Sequence, residues 1–465
     1  MAQDNLTTTD DSTPCSATPE SSVRTRGAHA FHAFLPSLIA LTYLGCILAG
    51  SGYSAMLPAI VRSTNSSLVE TSQLTAAVAI ASALGKFGYG GWLVDMTGVG
   101  FAILFSLSAI AVCAVTTSFS QTFSALLPLV CATEFFFSPL WPAHVQWVRS
   151  SKRFSGDASG GIWQLGVASR VGAVISQLLY GWASQLASWR AVEAASALVP
   201  LAIIMIAICG YYRLRGRSEE RSSLVAAPTN NEAASMPSSS TRSTPVTVPG
   251  MLRKMACEPQ FWMAAAGNGF LGAVKGTGAM FVGVYFRYSH GPGITVTDGL
   301  SMQLAASFNA GIGVSVIVLG ACYSSASATV RKALVRTSNA VSCLALIAIA
   351  VDAQHVAASW LHVFVRVALF FVSGIGLGLS YYIPPSVFAI HFGGAGAGVV
   401  SSFLDGTQYF VSFLVAQLIA IVFSAAESSS WSVVWGLFAT CYVVGSCFTS
   451  AYLEPLLYTS ANRGD

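Results

Sequence analysis

Charge is what this chain has least of. Only 9% of its 465 residues are Asp, Glu, Lys or Arg, where a soluble domain carries about 25%. So few charges over so long a chain exclude a water-soluble globular fold. The marks of several chemistries are missing as well. None of the ten cysteines forms a Cys-x-x-Cys pair, and most lie in apolar stretches. They read as small buried residues, not as a disulfide framework or a metal site. The seven histidines show no metal-ligand spacing. There is no nucleotide-binding loop and no nucleophile–base motif, and the Gly-rich stretches fall inside apolar runs instead of at strand-to-helix turns. An enzyme is not expected, and no cofactor is implied. The formal charge of +4 comes from clusters in short loops, which argues against a nucleic-acid partner. Residues 1–30 are polar, unlike a cleavable signal peptide, so the first apolar run is expected to act as a signal anchor.

What the chain does have is long apolar runs. Hydrophobic residues make up 54% of it, and its mean hydropathy is +0.64. A membrane-spanning helix needs about 20 mostly apolar residues. Twelve such runs are expected: 34–59, 71–95, 100–119, 123–148, 159–183, 190–212, 260–287, 300–323, 333–351, 359–383, 396–424 and 430–453. One long polar insertion, 213–259, opens on Arg213, Arg215 and Arg217 and then turns to Ser, Pro and Thr, as a flexible linker does. The expected organisation is a polar N-terminus at 1–33, a six-helix bundle at 34–212, the linker at 213–259, a second six-helix bundle at 260–453 and a tail at 454–465. With both termini cytoplasmic, the inner segments hold sixteen Lys and Arg, against Arg62, Arg190 and Arg287 outside. This is the positive-inside pattern. The fold class is all-α, and the protein is an integral, multi-pass membrane protein of the plasma membrane or an internal membrane.

Four cations lie inside the apolar runs: Lys86, Arg170, Lys275 and Arg366. Each costs about 3 kcal/mol or more near a bilayer centre, so each is a functional candidate. Only Glu134 and Asp405 appear as acids at similar depth. The positive excess suggests a cavity that holds an anion. Arg170 and Lys275 are near mid-helix, where the alternatives are a cavity role and pairing with Glu134 or Asp405. Lys86 and Arg366 lie closer to helix ends, where snorkelling to the interface competes with such roles. Glu134 has a second reading, as a proton-coupling site. The run Phe135-Phe136-Phe137 reads as packing or lipid contact. Tyr381-Tyr382 with Pro384-Pro385 reads as an interfacial aromatic belt and a helix stop.

Gly91-Trp92-Leu93-Val94-Asp95-Met96-Thr97-Gly98 resembles the G-x-x-x-D-x-x-G-R loop of the major facilitator superfamily. The trailing Arg is absent, since Val99 and Gly100 follow. In the family the glycines shape a tight turn, and the acid caps or pairs at helix ends to favour one conformation. Those roles would fall to Gly91, Gly98 and Asp95. Leu140-Trp141-Pro142, Gln146-Trp147, Ser155-Gly156, Gly161-Ile162-Trp163 and Ser188-Trp189-Arg190 resemble the organophosphate:phosphate antiporters of that superfamily. Phe403-Leu404-Asp405-Gly406-Thr407 is similar to the sugar-phosphate exchangers of the same branch.

The resemblance implies a phosphate site formed by an Arg in helix one, a Lys in helix two, a His in helix five and an Arg in helix seven. Lys86 matches the helix-two Lys, and Lys275 stands where the helix-seven Arg would be. The helix-one stretch Ala49-Gly50-Ser51-Gly52-Tyr53 has no Arg, and Val167 holds the His position. Arg170, three residues later, lies on nearly the same helix face. Lys in place of Arg keeps a point charge but loses the bidentate fork. The resemblance implies a secondary transporter exchanging an organophosphate for inorganic phosphate by alternating access, functional as a monomer, with a small anionic solute and the lipid bilayer as partners. The alternatives are a proton-coupled carrier of another small solute and a non-transporting receptor of the same fold.

Overall fold

The computed structural model describes residues 38–150, 158–206, 208–209, 248–291, 293–425 and 430–461. The expected N-terminal segment 1–33, the linker over 213–247 and tail residues 462–465 lie outside the described residues. Among the described residues, eleven helices are long and apolar enough to cross a membrane. In chain order they are α2 (Leu68–Thr97), α3 (Val99–Ser118), α4 (Phe123–Val148), α5 (Gly161–Leu186), α6 (Trp189–Ile206), α7 (Pro259–Tyr288), α8 (Asp298–Tyr323), α9 (Ala328–Asp352), α10 (Trp360–Gly393), α11 (Ala397–Ala425) and α12 (Trp431–Leu453). They follow a shorter apolar helix, α1 (Leu38–Gly50).

The first crossing is expected as one run over 34–59, but it is broken twice. Short helices Gly52–Ala55 and Leu57–Ser63 continue α1 past non-helical Ser51 (φ −94°, ψ 0°) and Met56 (φ −98°, ψ 8°). The glycines flanking Ser51 weaken the helix there, and Pro58 cannot donate a backbone hydrogen bond back to the preceding turn. With this interrupted helix the crossings among the described residues number twelve.

Five of the six even-numbered helices, α2 to α10, share a starting signal. Ser67, Thr122, Ser188, Thr297 and Ser359 each accept a hydrogen bond from the backbone N–H three residues on. Each cap occupies a donor that would otherwise be orphaned at a helix start. Ser67 and Glu70 complete a capping box. Three helices widen into π turns: α2 at Gly85–Gly90, α7 at Val274–Gly278 and α8 at Ser315–Leu319. In α2 and α8 the π turn follows a 17-residue α-helical stretch, a structural echo between the halves.

Two helix ends differ from expectation. The tenth helix does not stop at Pro384-Pro385 but runs from Trp360 to Gly393 with both prolines inside it. In water such a pair ends a helix. In a packed membrane bundle no solvent competes for the backbone, so prolines are tolerated within helices. The last part of the expected linker is ordered as the helix Val248–Cys257. Its Met251 and Met255 are buried against Phe261, Ala264 and Phe388, and Lys254 donates to the Phe392 carbonyl at 2.5 Å.

Small residues set the closest approach in the second half. A Cβ on Gly311 of α8 would strike the Phe371 backbone, and one on Gly374 of α10 would meet the Phe308 carbonyl. The glycines of α10 are therefore contact points between helices, as small residues are in membrane bundles.

Candidate functional site

The two halves meet chiefly through α2 against α11 and α5 against α8. Between them lies a central cavity of roughly 90 Å³. Lys86, Arg170, Lys275 and Asp405 all line it, together with Tyr43, Ile47, Phe137, Trp141, Ser169, Asn268, Tyr381, Tyr382, Pro385, Ser386, Ser401, Leu404, Gln408 and Tyr409. Four of the six charged residues expected at a site are thus brought together. The cavity takes side chains from both halves.

The cations are not equivalent. Lys86 is buried, and its ammonium pairs with Asp405 Oδ2 across the half-to-half boundary at 3.3 Å. It does not snorkel. Arg170 is buried too, but its partners are neutral. It donates to Asn309 Oδ1 at 3.1 Å and to Ser169 Oγ at 2.9 Å, its Nε–H has no partner among the described residues, and its guanidinium lies 5.3 Å from the Tyr382 ring centre. Lys275 has its ammonium 5.3 Å from the Tyr381 ring centre. Among the described residues it makes no hydrogen bond or ion pair. With Lys86 neutralised by Asp405, the cavity keeps two positive charges without an acidic partner, one from each half. Ring faces support both, since an aromatic quadrupole attracts a cation without cancelling its charge.

The π turns shape this site. A π turn shifts the hydrogen-bond ladder by one residue, which alters carbonyl pairing and often marks a functional position. Lys86 and Lys275 both sit in such turns. The Lys86 carbonyl accepts from Ser402 Oγ at 2.8 Å, and in the α8 turn the Val316 carbonyl accepts from Trp163 Nε1 at 2.9 Å. In each case the donor belongs to the opposite half. Trp141 Nε1 adds a third tie to Ser401 Oγ at 3.1 Å. Towards the α1–α2 loop, Asp298 holds Arg62 of the first half at 3.0 Å and Arg287 of its own half at 2.8 Å. Polar ties therefore cross the boundary towards both faces.

The remaining expected residues lie elsewhere. Glu134 is not in the cavity wall; it accepts from Ser82 Oγ at 2.9 Å and Tyr53 Oη at 3.3 Å. Arg366 pairs with neither Glu134 nor Asp405. It is buried and bound to Asp352 Oδ2 at 2.5 Å, to Ser289 O and Oγ, and to the His355 carbonyl. His362 takes the other oxygen of Asp352. A guanidinium saturated in this way ties α7, α9 and α10 together. Gly98 sits at φ +82°, where the chain reverses between α2 and α3, a backbone position that favours glycine. Gly91 opens the α-helical turn after the π segment and approaches Ser402. Asp95 is exposed, with no cap or ion pair among the described residues. No Arg follows at Val99 or Gly100 to receive it. Phe135 stacks on Tyr89 and Phe136 packs on Phe105, while Phe137 faces Gly50 and the cavity. Tyr381 and Tyr382, expected at the interface, instead support the two cations, and Tyr381 also bonds Gln408.

Sequence reasoning missed Tyr43, Asn268, Asn309 and Gln408. Amides inside apolar runs were the available signal. It also missed Glu193, a buried acid against Gly52, whose neighbour Arg190 makes the stretch look like a loop.

The sequence profile described as Major Facilitator Superfamily matches residues 39–416. The chain belongs to the Major Facilitator Superfamily. It is accordingly an integral, multi-pass transporter of small solutes, not an enzyme. Solved structures agree on the fold. The nucleoside transporter NupG, in a mutant form, superposes with a TM-score of 0.64 at 13% identity, covering 89% of this chain and 98% of that one. A bacterial homolog of the human lysosomal transporter Spinster, in an inward-facing, unoccupied conformation, gives 0.61 at 13% identity, covering 91% and 97%. Among curated protein sequences none matches this chain.

Proposed function

We propose that this member of the superfamily carries a small anionic solute, an organophosphate such as a glycerol or sugar phosphate, in exchange for inorganic phosphate by alternating access. The observation behind this reading is the pair Arg170 and Lys275. They reach one cavity from opposite halves, and neither has an acidic partner among the described residues. An anion between them neutralises both, and the partly dehydrated setting strengthens the attraction over its value in water. It also draws the two halves together, so occlusion is most favourable when the site is loaded. An empty site keeps two like charges in a confined space and resists reorientation, which favours obligatory exchange over uniport. Arg170 supplies fixed donors, while Lys275 supplies a mobile point charge. Lys86 and Asp405 set the local charge balance and tie α2 to α11.

The test is uptake of labelled inorganic phosphate into proteoliposomes, with and without phosphate or sugar phosphates inside, for wild type and Lys275→Ala. Uptake stimulated by internal substrate and lost in the variant supports the proposal. Folded protein with no uptake above empty liposomes removes the phosphate reading. A second reading, proton-coupled transport of another small solute, is favoured by one feature. Glu134 is a membrane-embedded carboxylate held only by hydroxyl donors. Steep dependence on an imposed pH gradient, lost in Glu134→Gln, supports that reading instead.

A further inference from the structure

An anion between Arg170 and Lys275 satisfies only part of the central cavity. Two amides, Asn268 of α7 and Gln408 of α11, line it beside the cations, and both are more than nine-tenths buried. Asn268 uses its amide nitrogen, which donates to the Leu404 carbonyl at 2.7 Å. Gln408 uses its oxygen, which accepts from Tyr381 Oη. Among the described residues no hydrogen bond reaches Asn268 Oδ1 or Gln408 Nε2. One amide therefore offers the cavity an open acceptor, and the other offers it open donors.

Both amides are held in place. Asn268 ties α7 to α11, and Tyr381 holds Gln408 while its ring supports Lys275. Gly272, one turn after Asn268, leaves the room that Gln408 fills; a Cβ there would lie 2.5 Å from Gln408 Cβ. Asn268 stands seven residues before Lys275 on α7, on the same helix face and about 10 Å along the axis. The acceptor and the ammonium thus share a wall of the cavity at different depths. A fully ionised phosphate group carries acceptors only, so it cannot satisfy Asn268 Oδ1.

A hydroxyl both donates and accepts. Neighbouring hydroxyls meet the open acceptor and the open donors together. An alkyl chain meets neither and leaves two desolvated amides half satisfied, which weakens its binding. We propose that Asn268 and Gln408 read the hydroxyls of a polyhydroxylated phosphate ester and so determine which organophosphate the site accepts. The inference rests on the anion reading of the same site. Arg170 and Lys275 hold the phosphoryl group, and the amides select the body attached to it. A sugar phosphate satisfies both ends of the cavity, while an alkyl phosphate satisfies one.

The test is exchange by the full-length protein in proteoliposomes loaded with inorganic phosphate. The external probes are inorganic phosphate, glucose phosphorylated on its primary hydroxyl, and butyl phosphate, applied to wild type, Asn268→Leu and Gln408→Met. Wild type should show a lower KM for the glucose phosphate than for butyl phosphate. Each variant should shrink the ratio of those two KM values about fivefold, the effect of one lost hydrogen bond. A merely structural role raises both KM values together, and an unchanged ratio in folded variants overturns the proposal. Equal KM values in wild type overturn it as well, a comparison that stands even where a variant fails to fold, as judged by its thermal midpoint. Wild type that exchanges no phosphate at all defeats the anion reading and this assignment with it. Phosphate exchange without a preference for the glucose phosphate defeats the assignment alone.

Discussion

Replacing Asp405 by Asn tests how the cavity balances its charges. Lys86 Nζ lies 3.3 Å from Asp405 Oδ2, with side-chain exposures of 4% and 23%. Removing one member of a buried pair costs about 3–5 kcal/mol, mainly because the other charge is left uncompensated. Asp405→Asn strands the more buried partner and leaves Lys86, Arg170 and Lys275 in one cavity with no acid to offset them. Its cost should fall near the lower end of that range, about 3 kcal/mol, because the site is not fully dry. Lys86→Met leaves the more exposed carboxylate in a cavity that still holds Arg170 and Lys275, and should cost about half as much. The double replacement should cost no more than Lys86→Met alone, which gives a coupling energy of about 3 kcal/mol. The assay is denaturant unfolding of purified protein in detergent across the four-member cycle, repeated with inorganic phosphate. Phosphate at about 100 times its dissociation constant adds about 2.7 kcal/mol, and Asp405→Asn should gain more from a given concentration than wild type. Additivity within about 0.5 kcal/mol, or a larger loss from Lys86→Met than from Asp405→Asn, refutes the reasoning.

Arg366→Met should lower folded yield and thermal stability by about 3–5 kcal/mol with little change in substrate affinity among the molecules that fold, as read by ligand protection. Asp298→Asn releases both Arg62 and Arg287 and should increase labelling of cysteines introduced near the α1–α2 loop side of the cavity. Trp163→Phe removes the donor to the Val316 carbonyl at a cost of about 1 kcal/mol; hydrogen exchange should rise at Ser315–Leu319 and stay unchanged in α3. Gly98→Ala forces a Cβ onto a backbone at φ +82°, ψ 160°, which should cost about 1–3 kcal/mol in thermal unfolding.

The spans and the cluster of cations were legible because both rest on one rule, the cost of polarity in hydrocarbon. Lys86, Arg170, Lys275 and Asp405 stand out against apolar neighbours wherever they point. Partner choice was not legible. Asp352, which holds Arg366, ends its helix and looks like a loop acid until three helices converge on it. Tyr381-Tyr382 and Pro384-Pro385 misled for a different reason. Rules for prolines and interfacial tyrosines assume water beyond the helix end, and here α10 continues inside the bundle with its tyrosines turned to the cavity. The amides Asn309 and Gln408 carry no charge, so they do not stand out against apolar neighbours as the cations do.

A π turn carries one residue more than the α-helix around it, and such a surplus can migrate. Shifting it past a position rotates the side chain there by about 100°, one residue's share of a 3.6-residue turn. Lys86 and Lys275 ride in two of these segments. A one-residue slip in either would swing an ammonium out of the cavity while the rest of the helix stayed in place. The charge presented to the cavity would then depend on helix winding as well as on how the two halves rock.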